Sequence, residues 1–345
     1  MAAESSPASR SPVSIPPAAP KRFTIGILSS LALLLLALAL APLIGSVPVD
    51  LGAALAGRSP DAEILFQARL PRVLLALLAG GALAVAGVLF QALLRNPLAT
   101  PYTLGVSSGA SLGAVIAIVT GLRSAFALPG VWLCAFAGAF LTLAVVIGAG
   151  RSAGRISAFT LLLAGVSVNA ICIAVVLFLQ YFSSLAQSFA IVRWLMGGVE
   201  PVSYPTLAAI AVLVGVVVAY AFSQARNWNL LAVGESWGAS RGVSVQRVMM
   251  GGYLSASLLT GAVTAITGPI GFVGLIVPHA LRILLGPDHR VLLPCAFLVG
   301  AAFLAACDTA ARVILSPADV PVGVVTALLG GPFFILLLRR RGPGV

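Results

Sequence analysis

The chain is poor in the residues from which most catalytic centres are built. Its only lysine is Lys21, so a Walker A loop, whose Lys must reach the nucleotide phosphates, cannot be present. Asp and Glu together number nine, and only Asp308 falls inside a long apolar run, too few carboxylates for an intramembrane ion relay. The two histidines, His279 and His289, come without an HExxH or GxSxG motif or any carboxylate cluster, which argues against a metal site or an acid–base pair. The four cysteines, Cys134, Cys172, Cys295 and Cys307, lie in apolar runs without a CxxC pair. They read as small core residues and say nothing of redox compartment. Apolar side chains are what the sequence has in excess: 60% of residues are hydrophobic and 8% charged, with a mean hydropathy of +1.11. That is the composition of a polytopic membrane protein. The net charge of +11 would suggest nucleic acid in a soluble domain. Here it reflects arginines in cytoplasmic loops, and no nucleic-acid partner is expected.

Residues 1–22 start rich in Ser, Pro and Ala and close on Lys21 and Arg22; a disordered cytoplasmic tail is expected. A single transmembrane domain is expected over 23–341. The apolar run Ile25–Ile44 is long for a cleaved signal core and reads as a retained first span. Further spans are expected at 71–93, 103–120, 128–149, 158–182, 202–222, 248–267, 272–286, 291–311 and 322–338, ten in all. With both termini inside, 14 of the 20 basic residues face the cytoplasm, as the positive-inside rule requires. Arg58, Arg69, Arg72, Arg123, Arg193 and Arg312 remain outside.

One stretch of this apolar chain is unlike an anchor helix. Gly268–Arg282 (GPIGFVGLIVPHALR) contains three glycines and two prolines. Helix breakers at membrane depth leave backbone groups unpaired, so they are tolerated only where protein buries them or a cavity adjoins them; transporters with broken helices have such segments. Gln91–Pro101 (QALLRNPLATP) ends the second span, and taken alone it is an interfacial turn in which Pro97 and Pro101 stop the helix. Asp308 and Arg312, at i and i+4, neutralise one another or leave Arg312 outward beside Arg69 and Arg72 as a basic patch. The longest cytoplasmic loop, about 223–247, holds Gly234, Gly238 and Gly242. That spacing suggests short helical turns that another surface can approach closely, although composition alone suits an ordinary flexible loop.

In order along the chain, several segments resemble the FecCD-like permeases of type II ABC importers, which carry iron–siderophore complexes, haem or vitamin B12. They are Arg69-Leu-Pro-Arg72, Gln91 with Arg95-Asn96-Pro97-Leu98-Ala99, Leu161–Gly165, Trp194–Gly198, Gly268–Arg282, Asp288-His289-Arg290, Asp308 with Arg312, and Pro321–Thr326. The resemblance implies an all-α fold of ten transmembrane helices and a homodimer around a central pathway in a bacterial inner membrane. It also implies two cytoplasmic ATP-binding subunits that hold the Mg-ATP, this chain carrying no cofactor or metal, and a substrate-binding protein outside. By position, Arg69, Arg72 and Arg312 match the arginines that receive the binding protein, and Asn96 and Leu98 match the cytoplasmic gate. Gly234, Glu235, Gly238, Arg241, Gly242 and Val243 match the coupling helices that enter the ATPase. Gly238 and Arg241 stand where the family has Ala and Leu, and Asp319 stands where it has Glu. The function expected is thus the permease subunit of an importer for a metal chelate, ferric siderophore before haem or cobalamin, with no ATPase site of its own. The rival from another class, an ion-coupled secondary transporter, lacks the carboxylates it would need.

Overall fold

The computed structural model describes residues 20–340 apart from 103, 123, 126–127 and 153–154; the expected tail lies outside the described residues as far as residue 19. Long apolar runs become helices, and the Gly–Pro clusters separate them. In chain order these are α1 (Pro20–Leu40), α2 (Leu51–Leu55), α3 (Asp61–Glu63), a π-helical turn over Ile64–Arg69, α4 (Leu70–Leu93) and α5 (Val106–Thr120). Then follow α6 (Gly130–Gly150), α7 (Ala158–Tyr181), α8 (Leu185–Leu195), α9 (Tyr204–Ser223), α10 (Ala225–Val233) and α11 (Glu235–Ser240). The last four are α12 (Val245–Thr267), α13 (Val273–Leu285), α14 (His289–Ile314) and α15 (Val322–Arg340). Two antiparallel ladders of two residues per strand, at 124–129 and 151–156, are the only strands among the described residues.

Among the described residues, seven helices are long and apolar enough to cross a bilayer, and three shorter apolar ones, α5, α13 and α15, bring the number to the ten expected. The stretch read as the longest cytoplasmic loop is not irregular: it folds as α10 and α11. Polar residues set several helix starts. Ser184 and Gln187 form a reciprocal capping box at α8, and the Asp288 carboxylate accepts the Arg290 amide at α14 (3.0 Å). Both satisfy amides that a helix start leaves unpaired.

The centre of the bundle is the pair α4–α14, packed along its length. Gly80 sits so close to the Gly300 carbonyl that no Cβ would fit, and Leu83, Leu89, Leu292 and Leu304 are fully buried around it. Small residues at a helix crossing let backbones approach, which matters in lipid, where burial of apolar surface gives no drive to association. α1 covers α14, α12 and α13 cover α4, and α12 joins the α5–α6 pair to this centre. The outer faces stay apolar: Phe159, Leu163, Leu177 and Phe178 of α7 and Leu328 and Ile335 of α15 are exposed. The residues assigned outside meet at one end of the bundle, where Arg72 reaches Asp308 and Asp319. Those assigned to the cytoplasm meet at the other, where Arg95 reaches Glu235.

Candidate functional site

Three interruptions of helix meet one another. The first follows α8 at Met196–Ser203, the second separates α12 from α13 at Gly268–Phe272, and the third precedes α15. Each supplies what another lacks. The Gly198 amide donates to the Thr267 carbonyl (2.7 Å) and the Gly323 amide donates to the Gly197 carbonyl (3.1 Å). The freed backbone groups are therefore paired inside protein, as groups at this depth must be. Gly268 has φ +67°, a conformation that a side chain resists. Gly197 and Gly323 lie against the carbonyls of Pro269 and Met196, where a Cβ would overlap.

Beside this junction lies a cavity of about 680 Å³. Its wall is Tyr102 with the first turns of α5, the C-terminal half of α7, the end of α8, the 269–272 segment and the start of α15. The polar groups in it are uncharged: Tyr102, Ser107, Ser108, Ser111, Asn169 and Gln180. None was singled out from the sequence. The signal available was faint, namely Ser, Asn and Gln inside otherwise apolar helices.

Pro278 poses a problem that Gln91 solves. Proline has no amide hydrogen, so within α13 the Gly274 carbonyl four residues earlier loses its helical donor. Gln91 Nε2 donates to that carbonyl instead (3.2 Å), while its Oε1 accepts from Arg282. Gln91 is buried, and both ends of its amide are satisfied.

At the outer end, the three arginines expected to face a partner turn inward. Arg69 is buried and donates to the carbonyls of Pro42, Leu43 and Val47. Arg312, also buried, donates to the carbonyls of Ile44 (3.0 Å) and Ala41 (3.1 Å). Together they fasten the segment after α1 to the helix ends. Arg72 spans two carboxylates: buried Asp308 at 3.1 Å and Asp319 at 2.8 Å, the latter with 55% of its side chain exposed. Arg312 Nε lies 3.2 Å from Asp308 Oδ2, close enough for an ion pair but not aligned for a hydrogen bond. The outward patch expected from the sequence is thus a buried charge cluster in this conformation. The cause is the desolvation cost of leaving guanidinium groups among helix ends without acceptors; the carbonyls of 41–47 supply them.

At the opposite end, Asn96 Oδ1 accepts the Leu98 amide (2.9 Å), a turn that leaves Leu98 51% exposed. Beside it, Arg95 pairs with Glu235, the first residue of α11, at 2.5 Å. Gly238 is buried beside Leu231 of α10, and a Cβ there would make only ordinary van der Waals contact. Arg241 lies 4.8 Å over the Trp237 ring, and the Val243 amide closes the helix on the Gly238 carbonyl (3.1 Å). The sequence reading also missed α8, with its exposed Arg193–Glu200 pair at 2.7 Å.

Ten apolar helices among the described residues, with interruptions that adjoin a cavity and charged clusters at the two ends, define a multi-pass transport permease. Residues 31–340 match the model of the FecCD transport family. The chain is 42% identical over 282 residues to the hemin transport system permease protein HmuU of Yersinia pestis, covering 81% of this chain and 84% of that one. It is 43% identical over 273 residues to the cobalamin import system permease protein BtuC of Halobacterium salinarum, covering 79% of this chain and 72% of that one. A solved structure described as an inward-facing conformation of a metal-chelate type ABC transporter superposes with a TM-score of 0.80 at 33% identity, covering 92% of this chain and 99% of that chain. The chain belongs to the FecCD transport family, and its fold is that of a type II ABC importer permease.

Proposed function

We propose that this chain is the permease of an ATP-driven importer for a large metal chelate, with ferric siderophore as the cargo and haem or cobalamin as alternatives. The observation that carries the reading is the cavity at the junction of broken helices. Its volume of about 680 Å³ lies in the range of small-molecule sites, about 300–1,000 Å³. Hydroxyl and amide groups on its wall exchange hydrogen bonds with a neutral chelate. With no charged residue in the wall, a bulky cargo is held weakly, which suits a conduit. The relatives named for hemin and cobalamin keep both alternatives open.

The assembly follows from the same reading. A second copy of the chain closes the pathway across α7 and α15 in a bacterial inner membrane. Two cytoplasmic subunits bind Mg-ATP and receive α11 with residues 234–243, so ATP is hydrolysed there and not in this chain. A substrate-binding protein docks outside on the cluster of Arg69, Arg72 and Arg312. Of these, Arg72 is the one a partner carboxylate would reach, by exchanging with exposed Asp319; Arg69 and Arg312 hold the rim on which it sits.

The test is uptake by proteoliposomes containing this chain, its ATPase and its binding protein, offered a ferric hydroxamate, haem and cobalamin in parallel. ATP-dependent accumulation of the ferric hydroxamate alone supports the reading. Accumulation of haem or cobalamin instead would move the assignment within the family, and uptake driven by an ion gradient without the ATPase would overturn it.

A further inference from the structure

We propose that the Arg95–Glu235 pair is the strut by which α11 moves the gate segment 95–98, which makes Arg95 a positioning residue of the transport cycle. This rests on the reading of 234–243 as the ATPase contact and of Asn96 and Leu98 as the cytoplasmic gate. The geometry has three parts.

First, α10 is fixed. Trp228 is fully buried, and its Nε1 donates to the Ala221 carbonyl (3.0 Å). Asn229 donates to Asp288 (2.8 Å) and accepts the His289 amide (2.9 Å). Second, α11 is a short separate helix bounded by glycines. It runs for six residues between Gly234 (φ +158°) and Gly242 (φ +81°), and no atom lies within 4 Å of where a Cβ would stand on either glycine. These two glycines are where the chain can turn, so a push on α11 would shift it across its contact with Leu231 while α10 stays in place. Third, Arg95 is aimed at it. Arg95 takes φ +47° just beyond the end of α4, a region where Gly or Asn is usual and other residues are strained. That backbone turn sends its guanidinium to Glu235 at 2.5 Å, although 140 residues separate the two in sequence. The next residue, Asn96, makes the turn that presents Leu98.

Both side chains are 42% exposed, and an exposed pair contributes little to stability. Its consequence is directional: displacement of Glu235 with α11 is felt first by Arg95, at the root of the gate turn. α4 does not yield in its place, because Gly80 and Gly87 lock it against α14 and α13.

The experiment uses the assembled complex of chain, ATPase and binding protein in proteoliposomes. Arg95→Gln, Arg95→Glu and the exchange Arg95→Glu with Glu235→Arg are compared with wild type for ATPase co-purification, ATP hydrolysis and cargo moved per ATP. The Arg95 variants are expected to keep the ATPase subunit and its turnover while cargo per ATP falls, up to about 5-fold for an exposed pair. The exchange is expected to recover most of that loss. Unchanged stoichiometry in the single variants would overturn the strut, as would an exchange that retains the ATPase subunit and its turnover yet moves no more cargo per ATP than Arg95→Glu. So would loss of the ATPase subunit in Arg95→Gln, because the pair would then serve assembly. Gly242→Glu tests the underlying reading separately: a complex that assembles and transports normally with that charge means that 234–243 is not the ATPase contact.

Discussion

Gln91 and Pro278 make a prediction whose size follows from the geometry. Replacing Gln91 by Met keeps the bulk of the side chain and removes the donor that reaches the Gly274 carbonyl at 3.2 Å. A buried acceptor left without a partner costs about 1–3 kcal/mol. Arg282, which loses its contact with Gln91, is only partly buried and adds less. The cost can be traced to the carbonyl by a second change: Pro278→Ala restores an amide four residues after Gly274. In the Gln91→Met background that amide should recover about 1 kcal/mol, the net worth of one hydrogen bond. Whatever else the loss of the proline ring does enters both arms of the double-mutant cycle and cancels. Unfolding in mixed micelles should thus show the double variant about 1 kcal/mol more stable than the two singles sum to. Additivity within about 0.5 kcal/mol, the spread for independent sites, would refute the account of Gln91 as the donor that proline removed.

Two further pairs of variants separate neighbouring positions. Gly323→Ala drives a methyl into the Met196 carbonyl and should cost about 1–3 kcal/mol by overpacking with loss of uptake. Gly271→Ala, facing open space in the same junction, should stay within about 0.5 kcal/mol; thermal melts and uptake assays of both check the contrast. Asp308→Asn removes the charge shared by Arg72 and Arg312 and should cost about 3–5 kcal/mol, as loss of a buried partner does. Asp319→Asn, at a side chain 55% exposed, should cost at most about 1 kcal/mol, and equal melting temperatures for the two would contradict the burial argument.

The ten spans and the broken segment were legible because they depend on local composition: apolar runs long enough to cross, and Gly and Pro where helix cannot continue. The knot of three interruptions was half legible. Gly268 to Pro278 marked one strand of it, but the need for Gly197 and Gly323 arises from contacts with Pro269 and Met196 that only the fold creates. The arginines show the same limit more sharply. Arg69 and Arg312 were placed at the correct end by topology, yet their direction depends on carbonyls at 41–47, a segment that carries no polar motif. α8 was hidden because an eleven-residue helix with Arg193 in its last turn has neither the length nor the apolarity of a span.

The distribution of rigidity now bears on mechanism. Glycine contacts lock α4 to α14 at Gly80 and Gly300, and to α13 at Gly87 and Gly274. A helix pair in backbone contact cannot slide without separating, so this core moves as one piece. The cavity lies at its edge, with the 269–272 segment on one wall and α7 and α15 on others. α7 is exposed along much of its apolar surface, and α15 along part of its own. On the proposed function, opening and closing the pathway would move α7 and α15 against that wall. The short segments 196–203 and 320–323, joined to that wall by the Gly198–Thr267 and Gly323–Gly197 hydrogen bonds, are where such a shift is anchored. The charge clusters stand at the two ends of the same rigid pair, Arg72 with Asp308 outside and Asn229 with Asp288 and His289 inside. A partner docking at either end thus meets the same mechanical body, and the parts left to move between them are those that line the cavity.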